Sequence, residues 1–92
     1  MPRKTFFTTE SLVKFVRRAR ERWKDFEVVR IEQHYSRQVL YIRVSETRVK
    51  LIVYSDGRIR AYSSKLPGLA YAVKKLAERV LGIDREYRSA EG

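Results

Sequence analysis

Residues 26–63 read FEVVRIEQHYSRQVLYIRVSETRVKLIVYSDGRIRAYS, and apolar side chains recur at every second position through much of this stretch. The recurring set comprises Leu40, Ile42 and Val44, then Val49, Leu51 and Val53, then Ile59 and Ala61. A period of two is the spacing of side chains on one face of a β-strand. The pattern therefore predicts four strands, Phe26–Tyr35, Arg37–Glu46, Arg48–Ser55 and Arg58–Ser63.

The connections between these strands are short. Parallel neighbours require a crossover of about a dozen residues or more, so short connections indicate antiparallel pairing of consecutive strands. The clearest turn is Asp56-Gly57, a pair that tolerates the positive φ angles of a type I′ turn. The predicted sheet is therefore an antiparallel meander in which each strand lies beside the next.

An amphipathic helix is predicted on each side of this stretch. The first is capped by Thr8 or Thr9 and runs to about Lys24, and the second spans Pro67–Leu81 and ends at Gly82. Apolar residues recur at helical spacing in both. They are Leu12, Phe15, Val16, Ala19, Trp23 and Phe26 in the first, and Leu69, Val73, Leu76, Ala77 and Val80 in the second.

The fold class that follows is α+β. We expect a two-layer sandwich, αββββα, in which a four-stranded antiparallel meander carries two helices on one face. A chain of 92 residues holds one hydrophobic core. We therefore expect a single α+β domain over residues 1–83 and a flexible C-terminal tail over residues 84–92, where no periodicity is found.

The other face of the sheet, which we call the open face, is predicted to be aromatic and basic. In the first strand, the pattern assigns Val29 and Ile31 to the apolar side and Val28, Arg30, Glu32 and His34 to the open face. The open face then carries Arg30, Arg43, Arg48, Lys50, Arg58, Arg60, Tyr41, Tyr54 and Tyr62, with Glu32 as its only acid. A solvated face ordinarily mixes both charge signs, so this composition favours a binding surface.

The charge of the whole chain indicates a polyanionic partner. Lys and Arg number 21 and Asp and Glu number 11, which gives a net charge of +10 and a pI of about 10.3. Such an excess attracts nucleic acid. No apolar run approaches the ~20 residues that span a bilayer, so we expect no membrane partner. The predicted location is the cytoplasm, with nucleoid association as a further option.

The sequence contains no recognisable set of catalytic or metal-binding residues. It has no cysteine and one histidine, which excludes a thiolate metal site. His34 lies two positions from Glu32, but no nucleophile or oxyanion site accompanies this pair. A glycine-rich phosphate loop is also absent. We therefore expect a non-enzymatic protein with no metal and no cofactor.

Single-stranded DNA or RNA fits an open face of this kind. Bases stack on aromatic rings while cationic side chains follow the phosphates, and neither contact demands a particular base sequence. The stacking residues are predicted to be Tyr41, Tyr54 and Tyr62. The phosphate-binding residues are predicted to be Arg30, Arg43, Lys50, Arg58 and Arg60, with Arg48 at the rim.

Two other interpretations of the open face stay open. In the first, the face packs against a second copy or another protein through Val28, Val39, Ile52 and the tyrosines. This fits the composition equally well, because interfaces also favour tyrosine and arginine. Alternatively, the face is a solvated surface whose tyrosines are there because they suit strands.

The composition indicates a heat-adapted source. Asparagine is absent, methionine occurs only at the first position, and glutamine occurs only at Gln33 and Gln38. Thermophilic proteins show the same depletion together with a high density of charge.

Element order, this composition and seven strand residues connect the chain with a known family. The seven residues are Tyr41, Arg43, Lys50, Tyr54, Arg58, Arg60 and Tyr62. In these features Thr8–Gly82 resembles the ThermoDBP group of archaeal single-stranded nucleic-acid-binding proteins. The resemblance implies an aromatic, basic-rimmed cleft on a four-stranded antiparallel sheet. Members of that group can assemble through a C-terminal helical zipper, whereas this chain has no heptad run after Gly82.

A second resemblance concerns the last predicted helix. Lys74-Lys75-Leu76-Ala77 is similar to the basic start of the last helix of double-stranded RNA-binding domains. In this chain the lysines lie in the middle of the helix, and a fourth strand intervenes. Double-stranded RNA binding is therefore a minor alternative.

Overall fold

The structure is a computed structural model in which residues 6–82 are described. Its elements are α1 (Thr9–Arg22), β1 (Glu27–Gln33), β2 (Arg37–Val44), β3 (Thr47–Tyr54), β4 (Ile59–Tyr62) and α2 (Pro67–Leu81). The predicted α+β fold and the element order are confirmed. The bounds of α2 are as predicted, and the other elements differ from their predicted bounds by about one or two residues. The predicted tail, residues 84–92, lies outside the described residues.

Local signals place both helices. The side chain of Thr8 accepts a hydrogen bond from the Ser11 backbone N–H at 3.1 Å, and the Thr8 backbone N–H donates to Ser11 Oγ at 2.8 Å. This reciprocal capping box satisfies two backbone donors at the start of α1. In α2, Pro67 lies in the first turn and Gly82 ends the helix in the left-handed region at φ 78°.

The sheet is an antiparallel meander in the order β1-β2-β3-β4, as predicted. The Asp56-Gly57 turn lies where expected, but the predicted type I′ geometry is wrong. Gly57 has φ 97°, whereas Asp56 does not adopt positive φ. The loop closes through hydrogen bonds from Tyr54 N–H to Arg58 O at 2.8 Å and from Gly57 N–H to Tyr54 O at 3.0 Å. A third loop residue, Ser55, therefore enters the turn, and only glycine needs the left-handed conformation.

The core lies between the two helices and the apolar face of the sheet. Its most fully buried large side chains are Phe15, Phe26, Leu40, Ile42, Val49, Leu51, Val53 and Val73. Phe15 of α1 is central, with its ring centroid 4.9 Å from that of Phe7 and 5.4 Å from that of Phe26. Each such burial contributes about 1.5–3 kcal/mol. Both helices are therefore held on one face, and the reverse face of the sheet is left open.

The predicted side-chain directions in β1 are wrong at Val28 and Val29. A β-bulge lies between Val28 and Arg30, so that Val28 is opposite Ile42 and packs against the core while Val29 is 59% exposed. Because the bulge adds one residue to β1, the side chains that precede it lie on the opposite faces of the sheet from those predicted. Glu27 consequently joins the open face opposite Arg43. Glu32 is therefore not the only acid on that face.

Candidate nucleic-acid interface

A row of alternating cationic and aromatic side chains crosses the open face. Directly opposed residues link all four strands, from Arg30 to Tyr41, from Tyr41 to Lys50 and from Lys50 to Tyr62. Opposed residues of an antiparallel pair lie on the same face, and strands lie about 4.8 Å apart, so the row is roughly 14 Å long. Strand pairing thus brings together side chains that are distant in sequence.

The ring of Tyr41 lies between the two cations of this row. Arg30 Cζ lies 5.8 Å from the ring centroid and Lys50 Nζ lies 5.9 Å from it. Both distances fall within the range of cation–π attraction. The ring is therefore held in place by neighbours that also supply positive charge for an anionic ligand.

Glu32 connects three open-face side chains. It accepts a hydrogen bond from the Tyr41 hydroxyl at 3.2 Å, lies 2.7 Å from Arg30 Nη2, and lies 3.5 Å from His34 Nε2. Desolvation acts to raise the pKa of Glu32, but the hydrogen bonds from His34 and Tyr41 and the charge of Arg30 outweigh it. The pKa of this carboxyl is lowered, so Glu32 is ionised at neutral pH and orients Tyr41.

Arg43 of β2 and Arg48 of β3 face each other near the turn that joins these two strands. Arg43 is opposite Arg48, and Arg43 pairs with Glu27 at 2.6 Å. Among residues 6–82, no acid lies within ion-pair distance of Arg48. Like charges directly opposite each other destabilise a sheet. Glu27 relieves only part of this repulsion, and an anion bound between the arginines would relieve the rest.

Tyr54, Arg58 and Arg60 lie towards the β3–β4 turn. Arg58 Cζ is 5.2 Å from the Tyr54 ring centroid, and Arg58 Nε donates to Asp56 Oδ2 at 2.8 Å. The hydrogen bond from the Arg58 backbone N–H is the largest cause of the lowered pKa of Asp56, and the Arg58 charge acts in the same direction. Asp56 thus neutralises part of the Arg58 charge.

A groove of about 420 Å³ runs along this face. It is lined by six of the nine predicted residues, Arg30, Tyr41, Arg43, Arg48, Lys50 and Tyr62, together with Val29, Ile42, Val49, Ser63 and Ser64. Tyr54, Arg58 and Arg60 do not line it. The larger depression, about 850 Å³, lies between α1 and β1 and contains only Arg30 of the predicted residues. We prefer the smaller groove as the site because aromatic and cationic groups converge there.

The apolar residues of the open face are largely covered. Val39 is 3% exposed and Ile52 is 9% exposed, although their register places them on the side away from the helices. They form the centre of the next cross-strand row, between Glu32 and Arg60. Apart from Val29, which is 59% exposed and lines the groove, the accessible part of the face is therefore mainly aromatic and charged.

Arg37 and Glu27 lie on the open face, although the sequence analysis did not place them there. Arg37 is opposite Tyr54 and has the same parity as Tyr41, so the alternation contained a signal for it. Glu27 reaches this face only because of the β1 bulge, which the adjacent valines Val28 and Val29 do not reveal. Arg37 adds positive charge to the open face, and Glu27 partly offsets that charge.

Comparisons with protein-family models, curated proteins and solved structures found no match. Within residues 6–82, no three His, Asp or Glu side chains lie close enough to hold a metal ion. In the same range, neither helix is long and apolar enough to cross a membrane.

Proposed function

We propose that this protein binds single-stranded DNA or RNA through the open face, with little base preference and without catalysing a reaction. The observation that carries the proposal is the row Arg30–Tyr41–Lys50–Tyr62. A base offers a π-face to each tyrosine of the row, and the cations on either side of Tyr41 lie close to the phosphates of a strand laid along it.

Stacking gives such a site its tolerance of sequence. Each stacked base contributes about 1–3 kcal/mol, and every base has a π-face. Tyr62 is 48% exposed and terminates the row, while Tyr41 is half-buried beneath its two cations. Tyr62 is therefore the more accessible ring, and Tyr41 is the better oriented one. Tyr54 provides a third ring outside the groove.

Phosphate binding is assigned to the cations around the rings. Arg43 and Arg48 face each other at one margin of the groove, and Lys50 lies within it. A phosphate between opposed arginines replaces repulsion with two charge-assisted contacts. Arg60 extends the positive charge along β4, and Arg58 contributes a charge that Asp56 partly neutralises.

The alternative of a protein–protein interface or homodimer on this face is less well supported. Val28 packs against the core, and Val39 and Ile52 are already covered, so the apolar residues predicted for that interface offer a partner little surface to bury. Val29, which is 59% exposed and lines the groove, is the apolar residue that a partner would reach. The groove is lined by four cations, Arg30, Arg43, Arg48 and Lys50, and by no acid, so a second copy packed on it would bring like charges together.

A fluorescence-anisotropy titration with a labelled single-stranded oligonucleotide tests the proposal. We expect binding at low salt, and about a 5- to 100-fold loss of affinity in Tyr41→Ala. The matched control is Tyr35→Ala, because Tyr35 is 102% exposed in the β1–β2 turn and lies outside the groove. Absence of binding at low salt, or wild-type affinity in Tyr41→Ala, would falsify the stacking assignment.

The cellular setting is proposed on composition. Heat-adapted residue usage and the resemblance to the ThermoDBP group favour an archaeal thermophile. A basic protein that binds nucleic acid fits the cytoplasm, in association with the nucleoid.

A further inference from the structure

The β4 edge of the sheet connects the open face with an exposed tyrosine on α2. β4 is an outer strand, and α2 packs against it. A groove of about 330 Å³ is lined by Arg60, Ala61, Tyr62, Pro67, Tyr71 and Lys74. Tyr62 is also the last residue of the cross-strand row. This second groove therefore begins where the row ends.

The α2 side of the groove repeats the chemistry of the open face. Tyr71 is 59% exposed, and Lys75 Nζ lies 5.7 Å from its ring centroid. Lys74 lines the groove on the same side, three residues along the helix from Tyr71. Residues three and four apart lie on one face of a helix, so Pro67, Tyr71 and Lys74 form a continuous stripe. None of the lining residues is acidic.

The sheet side of the groove supplies a second ring and a second cation. The nearby Tyr62 hydroxyl is the main cause that raises the pKa of Arg60. Arg60 and Tyr62 are two residues apart on β4, so their side chains lie on the same face of the strand. The groove thus has a tyrosine and a cation on each wall, Tyr62 with Arg60 and Tyr71 with Lys74.

We propose that a single strand of nucleic acid continues from the open face across β4 and stacks a further base on Tyr71, with Arg60 and Lys74 at the flanking phosphates. The inference rests on the proposed function and deepens it, because it gives the strand a path around one edge of the sheet. A short ligand fills the cross-strand row alone, and only a longer ligand reaches α2.

Tyr71→Ala, titrated by anisotropy with two labelled oligothymidylates, tests this path. One oligonucleotide has about 5 nucleotides and the other about 15, which brackets common site sizes for single-strand binding domains. We expect Tyr71→Ala to bind the longer strand about 10-fold more weakly and the shorter strand within about twofold of wild type. Tyr35→Ala, which removes a fully exposed tyrosine elsewhere, leaves both affinities unchanged. Tyr71→Phe keeps the ring and binds the longer strand like wild type.

The outcomes separate the inference from the proposed function. If Tyr71→Ala binds the longer strand like wild type while Tyr41→Ala binds weakly, the path across β4 is overturned. The open face then still stands as a site. An equal loss for both lengths also overturns the path, because the path predicts a length-dependent effect. A wild-type protein that binds neither oligonucleotide at low salt overturns both proposals. A thermal melt of each variant shows whether its fold is retained.

Discussion

The hydroxyl of Tyr41 donates a hydrogen bond to Glu32 Oε1 at 3.2 Å, which places an acid on the β1 edge of a basic face. The same carboxylate pairs with Arg30 at 2.7 Å. Glu32 therefore has two opposed effects on an anionic ligand. It orients the stacking ring, and it repels phosphate while occupying a cation.

Glu32→Gln separates these two effects. The amide oxygen still accepts the Tyr41 hydrogen bond, whereas the negative charge is lost and Arg30 is released. We expect about two- to fivefold tighter oligonucleotide binding at low salt, with the gain shrinking as salt rises. Anisotropy titrations at several salt concentrations measure it. Glu21→Gln on α1 is the control, since it raises the net charge equally but lies away from the open face. An equal gain in both variants would contradict a local role for Glu32.

Acid stability gives an independent check on Glu32. Because the pKa of this carboxyl is lowered in the folded state, its ionised form stabilises the fold at pH values above the pKa of an unperturbed glutamate, about 4.5. That stabilisation is lost as pH falls through the folded-state pKa. In urea titrations, the stability difference between wild type and Glu32→Gln should therefore be larger at about pH 7 than at about pH 3. A difference that grows on acidification would show that the pKa is raised instead.

Val28 and Val29 test the β1 bulge. Val28 packs against the core and Val29 is 59% exposed, so Val28→Ser should cost about 1–3 kcal/mol of unfolding free energy and Val29→Ser less than about 0.5 kcal/mol. Urea denaturation of the two variants makes a matched comparison, since the chemical change is the same. The regular alternation predicted from sequence gives the reverse order, so the measurement decides between the two registers.

The β1 bulge marks where sequence reasoning was insufficient. In β2 to β4 the alternation is unbroken, and the predicted residues of those strands share the open face. In β1 the adjacent apolar pair Val28-Val29 fits either parity, because each valine satisfies the pattern equally well. The choice depends on which residue contacts the rest of the core, and this is a tertiary effect. The Tyr71 groove was likewise missed because it joins α2 to a strand edge.

The buried side chain of Gln38 anchors the residues that precede α1. Its Oε1 accepts from Phe7 N–H at 2.9 Å, and its Nε2 donates to Phe7 O at 3.2 Å. Gln38→Leu leaves both backbone groups without this partner, so we expect a loss of about 2–4 kcal/mol in unfolding free energy. Gln33→Leu, at an exposed position, removes the hydrogen bond that Gln38 Nε2 donates to Gln33 Oε1 at 3.1 Å and should cost less than about 1 kcal/mol. Equal losses in urea denaturation would show that the Phe7 contacts contribute little.

Arg48 is the open-face cation whose role is most readily isolated. It is opposite Arg43, and within residues 6–82 no acid lies at ion-pair distance from it. If it binds one phosphate, Arg48→Gln should weaken binding to all base sequences alike and reduce the slope of log K against log salt by about 0.7. Stability should hold or rise slightly, because the repulsion from Arg43 is removed. Arg18→Gln on α1 removes the same charge from the opposite side of the protein and should leave the slope nearly unchanged. A similar fall in slope for both variants would mean that net charge, and not a phosphate held at the Arg43–Arg48 pair, governs the affinity.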